Sequence, residues 1–311
     1  MKPQRLVFGE TLAQLGNEFK NLVVCDADVS SSTQTKLFGT KFPERFFNFG
    51  IAEGNMVSAA AGMAASGMIP VVSTFALFLA LRAGDPVRSL VGYNSLNVKI
   101  AGGYAGLSDF ADGASHQAVE DMAVMQAIPN IKVLCPSDIT TTAKAVKTML
   151  EYQGPVYLRL SREAISKEYD DNINFEIGKG ITVNDGDDVT IIACGIPMRF
   201  ARIAVEELKE KGINVRLIDM PTVKPLDAEL ITKAAKETGA IVTVEEHNIF
   251  GGLGSSVASL ICETNPVPVV KVGIPDKFGE SGKYEEILKR AGISVEDIVE
   301  AAEKSIKLKT K

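Results

Sequence analysis

Short runs of Val, Ile and Leu alternate with segments of helical periodicity along most of the chain. Of all the features of the sequence, this alternation restricts the possible folds most strongly. Strands that are apolar throughout are typical of parallel sheets with helices on both faces, because neither face meets water. We therefore predict a doubly wound, mostly parallel sheet. Its strands are predicted, in chain order, at "NLVVCDAD", "IPVVS", "LNVKIAG", "IKVLCP" and "PVYLRLS". The helices between them are predicted over Leu6 to Phe19, from about Glu53, through "FLALRAGDPVRSLV", from His116 to Ala127 and from Ser137 to Tyr152.

A polar stretch, "REAISKEYDDNINFEIGKG", interrupts this alternation and is the best linker candidate. Beyond it the alternation restarts at "DVTIIACG". Two helices and two apolar runs follow and lead to a glycine-rich turn, after which come a helix, an apolar run and two closing helices. The fold class is therefore α/β with two consecutive domains. We place the first domain at residues 1–168, the linker at 169–184 and a smaller second domain at 185–311.

Ligands of doubly wound sheets bind where the carboxyl ends of the strands meet. Four segments follow predicted strands of the first domain and should share that rim: "CDADVSSS", "STFALF", "GGYAGLSDFADGASH" and "SRE".

Charge and composition exclude several classes of partner. The net charge is −6 at pH 7, and acidic and basic residues are mixed along the chain, which argues against a nucleic-acid or anionic-membrane surface. The longest uncharged run is built from Ala, Gly, Ser and Met and is broken by Pro70, unlike a membrane span. Arg5 and Glu10 stand where an export signal needs an apolar core, so we expect a cytoplasmic protein. The four cysteines lie far apart and are interpreted as reduced core thiols: Cys25, Cys135, Cys194 and Cys262.

The familiar phosphate and nucleophile motifs are missing: no G-x-G-x-x-G follows an early strand, and neither G-x-x-x-x-G-K-[ST] nor G-x-S-x-G occurs. The segment "FGGLGSSVASL" could be a phosphate loop. We interpret it instead as the close packing of a helix on its strand.

Glu53 is the only charged side chain between Arg45 and Arg82. Burying an ionised carboxylate without partners costs several kcal/mol, so its position needs an explanation. One explanation is a first-turn carboxylate favoured by the helix dipole. The other is a carboxyl kept in an apolar pocket, where desolvation favours its protonated form and it can share a proton with a ligand nitrogen.

Both histidines have a structural and a functional interpretation. His116 lies in a loop on the predicted rim, so it is either a neighbour of a helix cap or a functional residue. His247 ends a strand beside two glutamates, and we interpret it as a solvated turn residue, with a functional role as the alternative.

Four of these segments together resemble the C-terminal half of transketolases, the thiamine-diphosphate enzymes that transfer two-carbon ketol units between sugars. They are "FFNFGIAEGNMVSAAAGMAASG", "STFALF", "DGASHQAVEDMAVMQAIPNIKVLCPSD" and "GPVYLRLSRE". The resemblance covers nearly the whole chain, and it implies a pyrimidine-binding domain followed by the C-terminal domain of the family. It also implies a role in carbohydrate metabolism, in the pentose phosphate pathway.

The resemblance assigns the cofactor residues. Glu53 occupies the position of the glutamate that hydrogen-bonds N1′ of the aminopyrimidine and so promotes deprotonation of the thiazolium C2. Phe75 and Phe78 match aromatics that stack on the pyrimidine, whereas a further aromatic of the family is Leu81 here. Asp28 is placed among the cofactor-binding residues as well.

For the substrate, the resemblance implies that Asp112 and His116 contact hydroxyls of the bound ketose, with His116 also a catalytic residue. Arg5, Ser32 and Arg162 match positions that clamp a phosphate, for which guanidinium groups are well suited. Tyr104 stands where many transketolases have a histidine. A tyrosine cannot carry positive charge near phosphate, which puts the usual sugar-phosphate preference in doubt.

In transketolases a G-D-G motif with a downstream Asn, on a preceding domain, holds the diphosphate and its metal ion, and "NDGDDV" here fits neither the order nor the context. We therefore expect no metal ligand in this chain. A separate N-terminal subunit should supply the Mg²⁺ (or Ca²⁺) and diphosphate site, in an assembly with two copies of each chain.

Three other functions share parts of this pattern. The nearest is the β subunit of a 2-oxo-acid dehydrogenase E1 component, which has the same fold and glutamate. A synthase joining pyruvate to glyceraldehyde phosphate and a non-catalytic assembly subunit are the others. The D-G-x-x-H-Q context and the arginine and serine positions favour a sugar, so we predict the transketolase subunit.

Overall fold

A seven-stranded sheet forms the centre of the first domain in the computed structural model, which describes residues 1–309. Five parallel strands lie in the middle, and the four longest of them are buried along their whole length, as apolar runs predict. The strands follow one another across the sheet in the order Thr222–Lys224, Lys132–Leu134, Val156–Arg159, Lys99–Gly103, Ile69–Phe75, Leu22–Asp26 and Phe46–Asn48. The doubly wound, mostly parallel sheet is thus confirmed.

Helices cover both faces of this sheet. Side chains that alternate along the strands enter two separate apolar clusters, with Val72 and Ile100 in one and Val71 and Ala101 in the other. The helices are Gln4–Leu15, Ser30–Thr33, Lys36–Lys41, Glu53–Ala65, Ala76–Ala80, Gly84–Pro86, Asp121–Ala127 and Ile139–Glu151.

Two helix predictions in this domain were wrong in extent. The helix predicted through residues 78–91 is broken into Ala76–Ala80, Gly84–Pro86 and a π-helical stretch, Val87–Gly92. The helix predicted from His116 begins only at Asp121. The backbone of Ala118 instead pairs with the loop after the strand Lys99–Gly103, so residues 116–120 are not free to form helical hydrogen bonds.

The second domain contains a five-stranded sheet, in which four strands are parallel and one edge strand is antiparallel. That edge strand, Ile181–Asn184, lies within the segment predicted as a linker. Across the sheet the order is Val269–Ile274, Ile241–Asn248, Val189–Ala193, Val215–Asp219 and Ile181–Asn184. The helices of this domain are Met198–Glu210, Ala228–Thr238, Leu253–Thr264, Tyr284–Arg290 and Val295–Lys307.

One short strand of the second half of the chain joins the first sheet. Thr222–Lys224 pairs antiparallel with Lys132–Leu134 and completes that edge. Lys224 also donates from Nζ to the carbonyls of Gln126 and Ile128, at 2.7 and 2.6 Å. At the chain start Lys2–Pro3 pairs with Ala164–Ile165. The pairing of Thr222–Lys224 with Lys132–Leu134 therefore ties the two domains together, whereas that of Lys2–Pro3 lies within the first domain.

A buried ion pair, Arg159 with Asp121, lies where the two domains meet. Arg159 donates from Nε and Nη2 to the carboxylate of Asp121, at 2.8 and 3.0 Å, and from Nη2 to the backbone carbonyl of Glu246, at 2.9 Å. Although burial alone would raise the pKa of Asp121, the Arg159 guanidinium holds it below its usual value. The pair is therefore charged, and it links two strands to the loop ahead of the helix Asp121–Ala127.

Glu246 joins the second domain to the rim of the first. Its carboxylate accepts hydrogen bonds from the backbone N–H of Leu107 and from the hydroxyl of Tyr284, both at 2.7 Å. Gly106 passes so close that a Cβ there would lie 2.5 Å from the carboxylate oxygen. Burial raises the pKa of Glu246 to about 7, even though these hydrogen bonds lower it.

The unfolding free energy should depend on pH through Glu246. Its folded pKa is raised from 4.5 to about 7, so its stabilising effect is complete below 4.5 and is lost as the pH rises through 7. Between these limits we expect wild type to lose about 3 kcal/mol relative to Glu246→Gln, which cannot titrate. Urea unfolding of both chains over this pH range measures the difference. The exposed Glu263→Gln is the control, and a difference that does not change with pH would contradict the prediction.

The glycine-rich turn does not bind phosphate in the way a P-loop does, because its helix terminus is already occupied. Glu245 accepts hydrogen bonds from the backbone N–H groups of Leu253 and Gly254, both at 2.7 Å. A Cβ on Gly252 would lie 1.9 Å from the Glu245 carboxylate. Close packing of helix and strand, the interpretation preferred from the sequence, is confirmed.

The thiols of Cys25, Cys135 and Cys194 are free and buried, as predicted. The prediction for Cys262 was wrong, because it lies exposed on the outer face of the helix Leu253–Thr264. Within residues 1–309, no helix is long and apolar enough to cross a membrane.

Candidate functional site

Glu53 is the first residue of the helix Glu53–Ala65, at the carboxyl edge of the first sheet. The turn before it contains Gly50 at φ 70°, and the Gly50 N–H donates to the side chain of Asn48 at 2.9 Å. In the described part of the chain no side chain caps this helix, and only 4% of Glu53 is exposed. A nearly buried carboxylate therefore stands at the helix N-terminus, where the dipole favours negative charge.

Arg82 is the cation that the sequence did not reveal beside Glu53. Its Nη1 donates to Glu53 Oε1 at 2.9 Å, and its guanidinium lies 3.9 Å from the ring centre of Phe78. Of the two explanations for Glu53, its place at the helix start fits the one based on the helix dipole, and the pocket is not free of charge because Arg82 pairs with the carboxylate. The Arg82 side chain is 52% exposed, so this pair sits at the mouth of the site.

Aromatic rings continue the row from Phe78. Phe75 ends the strand Ile69–Phe75, and its ring centre lies 5.8 Å from that of Phe78 and 4.5 Å from that of Tyr104. The His116 ring lies edge-on to both phenylalanines, at 5.3 Å from Phe78 and 6.0 Å from Phe75. The structure therefore brings Phe75, Phe78, Tyr104 and His116 together. Leu81 is 53% exposed and adds no ring.

Arg5 closes the other end of the row. Its Nη1 donates to the Tyr104 hydroxyl and to the backbone carbonyl of Ser32, both at 2.9 Å. The neighbouring Gln4 is buried and bonded to the backbone of Pro136 and Ser161, which fixes the start of this helix. Ser32 thus meets Arg5 through its backbone, and Arg5 is held in the site.

Arg162 also approaches the ring of Tyr104. Its guanidinium lies 5.4 Å from the ring centre of Tyr104 and 4.7 Å from that of Phe110. Its Nη1 is 3.5 Å from Oδ1 of Asp109, a fully buried carboxylate. Sequence reasoning missed Asp109, although it stands in the same "SDFADG" segment as Asp112.

Asp109 has an unusual electrostatic environment. Burial, and then the nearby Asp112, raise its pKa to about 6, against the opposing effect of Arg162 and His116. Within residues 1–309 its Oδ2 is buried without a hydrogen-bond partner. Asp112 itself is exposed at the rim, and His116 is half-buried with Nδ1 3.0 Å from the Ser115 hydroxyl.

Asp28 and His247 lie apart from this row. Asp28 is exposed, and its Oδ1 accepts a hydrogen bond from Asn48 at 3.0 Å. His247 is fully buried: its Nδ1 bonds to the Asn248 carbonyl and its Nε2 accepts from the Ala123 N–H. Burial lowers the pKa of His247 to about 4, so it is neutral. Its interpretation as a solvated turn residue was wrong.

Two family models match this chain. Residues 2–167 match the pyrimidine-binding domain of transketolase, and residues 178–298 match the transketolase C-terminal domain. The chain belongs to the transketolase family. The predicted resemblance and fold are thus confirmed.

Individual transketolase relatives extend along the whole chain. A putative transketolase C-terminal section of Methanocaldococcus jannaschii is 47% identical over 96% of this chain and 94% of its own length. A 6-deoxy-6-sulfo-D-fructose transketolase subunit of Clostridium sp. (strain MSTE9) is 37% identical over 96% and 92%. A solved structure titled split gene transketolase, inactive beta4 tetramer, superimposes with a TM-score of 0.94 at 45% identity and covers all of both chains. This chain is therefore similar to the C-terminal subunit of split transketolases.

Residues 1–309 contain no group of three or more His, Cys, Asp or Glu side chains that could hold a metal ion.

Proposed function

We propose that this chain is the C-terminal subunit of a thiamine-diphosphate-dependent transketolase, which transfers a two-carbon ketol unit from a ketose with an anionic end group to an aldose. One observation carries the proposal. A nearly buried carboxylate, Glu53, begins a row of aromatic rings on the sheet rim, and this row ends at two guanidinium groups, those of Arg5 and Arg162. A carboxyl that can share a proton with the cofactor, a ring-stacking surface and an anion site are the parts that this transfer needs.

The residues present fit the aminopyrimidine of thiamine diphosphate. Glu53 offers a nearly buried carboxyl, and Phe75 and Phe78 offer rings beside it. Next to Phe75 on its strand, Thr74 has a buried hydroxyl without a partner among residues 1–309. When bound, the cofactor supplies a nucleophilic carbon at C2 of its thiazolium ring.

The chain's own residues divide the remaining work. Glu53 shares a proton with N1′ of the pyrimidine, and the two phenylalanines orient the ring. His116 and Asp112 hydrogen-bond the sugar hydroxyls near the bond between C2 and C3 that breaks. Arg5 and Arg162 hold the anionic end of the ketose, with Ser32 and Tyr104 beside them. Asp28, which is exposed on the same rim, is proposed to contribute to cofactor binding.

A second subunit is part of the proposal. The site on this chain offers rings and a carboxyl for the pyrimidine, and we propose that a separate N-terminal subunit binds the diphosphate and Mg²⁺. Two copies of each chain would form the active assembly in the cytoplasm. The names of the similar proteins, a C-terminal section, a subunit and a split-gene product, support this division.

Reconstitution tests the proposed function directly. The chain is mixed with the N-terminal subunit from the same genome, thiamine diphosphate and Mg²⁺, and given xylulose 5-phosphate or another ketose with ribose 5-phosphate. Formation of sedoheptulose 7-phosphate, or of the corresponding lengthened sugar, only when both chains are present supports the proposal. Decarboxylation of 2-oxo acids without ketol transfer would instead support the E1 β subunit.

Arg82 should compete with the cofactor for Glu53. Its guanidinium occupies both contacts proposed for the pyrimidine, the Glu53 carboxylate and the Phe78 ring face. Because such a partly exposed pair is worth no more than about 1 kcal/mol, Arg82→Ala should bind thiamine diphosphate about two- to fivefold tighter. Calorimetry on the assembled enzyme measures this, with the exposed Arg88→Ala as the control. Weaker binding by Arg82→Ala would show that Arg82 helps to hold the cofactor.

A further inference from the structure

The anion end of the proposed site carries less positive charge than its two arginines suggest. Arg5 and Arg162 converge on the ring of Tyr104, at 5.6 and 5.4 Å from its centre. A phenol adds no positive charge between them. The third residue of this cluster, Tyr104, therefore contributes no positive charge.

Asp109 offsets one of the two guanidinium charges. It is fully buried behind Arg162, and its Oδ1 lies 3.5 Å from Arg162 Nη1. Arg162 remains 31% exposed, so its outer side is open to a ligand while its inner side faces the carboxylate. Arg5 meets only a carbonyl and the Tyr104 hydroxyl among its hydrogen-bond acceptors within residues 1–309.

We propose that Asp109 is a specificity-determining residue: it leaves the set of Arg5, Arg162 and Tyr104 with one net positive charge instead of two, which weakens the binding of a phosphate dianion more than that of a singly charged end group. This inference rests on the proposed function. A phosphate monoester carries about −1.5 to −2 charges at neutral pH, whereas a sulfonate carries one. One net positive charge matches the sulfonate and leaves the phosphate only partly compensated.

The other charged groups around Asp109 define when it is ionised. Asp112 raises its pKa, and Arg162 and His116 lower it, with burial as the largest effect and a value of about 6. Asp109 is thus negative at neutral and alkaline pH. As the pH falls through 6 it becomes neutral, and the cluster gains one net positive charge.

The test compares two donors of nearly equal shape, fructose 6-phosphate and 6-deoxy-6-sulfofructose, on the reconstituted enzyme. Asp109→Asn keeps the size of the side chain and removes its charge. We expect the ratio of kcat/KM for the phosphate donor to that for the sulfonate donor to rise about tenfold in this variant. Differences in size or hydrogen bonding between the donors are common to both enzymes and cancel. Asp187→Asn, an exposed carboxylate of the second domain, should leave the ratio unchanged.

The pH profile of wild type provides a second measurement that needs no variant. The sulfonate donor keeps its charge throughout this pH range. Its KM should therefore fall several-fold as the pH decreases from about 8 to about 5.5, because Asp109 becomes protonated and no longer offsets the charge of Arg162. In Asp109→Asn, which retains His116 and Asp112, that fall should be lost.

The outcomes separate this inference from the proposed function. If no ketose supports ketol transfer, the proposed function fails. If transfer occurs and the donor ratio of Asp109→Asn equals that of wild type, or the wild-type KM for the sulfonate donor does not change with pH, only the role of Asp109 is overturned.

Discussion

Glu53→Gln should lower kcat of the reconstituted enzyme by about a hundred- to ten-thousand-fold, the range typical of a lost proton donor. The glutamine fills the same space and can still hydrogen-bond the pyrimidine, but it has no proton to share. The matched control is Glu44→Gln, whose side chain is 68% exposed and, among residues 1–309, pairs only with Arg45. Assays of ketol transfer at saturating cofactor measure kcat for wild type, Glu53→Gln and Glu44→Gln.

Two further measurements keep the Glu53 result interpretable. Thermal unfolding of Glu53→Gln should match that of wild type, because Glu53 lies at a helix start and its ion pair with Arg82 is half open to solvent. Calorimetry should still detect thiamine diphosphate, since the ring contacts with Phe75 and Phe78 are intact. Near-full activity of a folded, cofactor-bound Glu53→Gln enzyme would refute the assigned role.

Asp121→Asn should reduce the unfolding free energy by about 3–5 kcal/mol, because it leaves the guanidinium of Arg159 buried without a counter-charge. Arg159 is 5% exposed and Asp121 is completely buried, so water cannot replace the lost carboxylate. The Tyr157 hydroxyl also donates to Asp121, at 2.6 Å, and loses its charged acceptor. Urea unfolding at neutral pH measures the loss.

A surface pair provides the control for Asp121. Asp171→Asn breaks the pair of Lys167 and Asp171, in which both side chains are about half exposed or more, and should change the unfolding free energy by less than about 0.5 kcal/mol. Equal losses of unfolding free energy in Asp121→Asn and Asp171→Asn would mean that the buried pair stabilises the fold no more than the surface pair does. Because Arg159 also donates to the Ala118 carbonyl, the loop that carries His116 should loosen in Asp121→Asn as well.

Elements could be predicted from the sequence where burial produces a local pattern of apolar residues. Central strands such as Ile69–Phe75 were predictable because both of their faces are buried and their apolar runs are continuous. The edge strands Phe46–Asn48 and Ile181–Asn184 are short and partly exposed, so no apolar run marks them. Their pairing depends on neighbours that are distant in the chain, which a single sequence does not show.

The same contrast holds for the candidate site. Glu53, Phe75 and Phe78 were found because they lie in recognisable motifs close to strand ends. Arg82 was missed because it reaches Glu53 across 29 residues, through a helix break that its own sequence does not predict. Asp109 was missed because its importance comes from burial behind Arg162, and burial of one acidic residue in a loop cannot be inferred from its spacing.

The strand Thr222–Lys224 has a consequence for attempts to separate the two domains. It covers the edge of the first sheet at Lys132–Leu134, a strand that has no other partner on that side within residues 1–309. A truncated first domain would expose an unpaired row of N–H and C=O groups, and such rows recruit strands from other chains. When whole domains are exchanged between related enzymes, this short strand should therefore be kept together with the first domain. Without it, we expect the recombinant protein to aggregate.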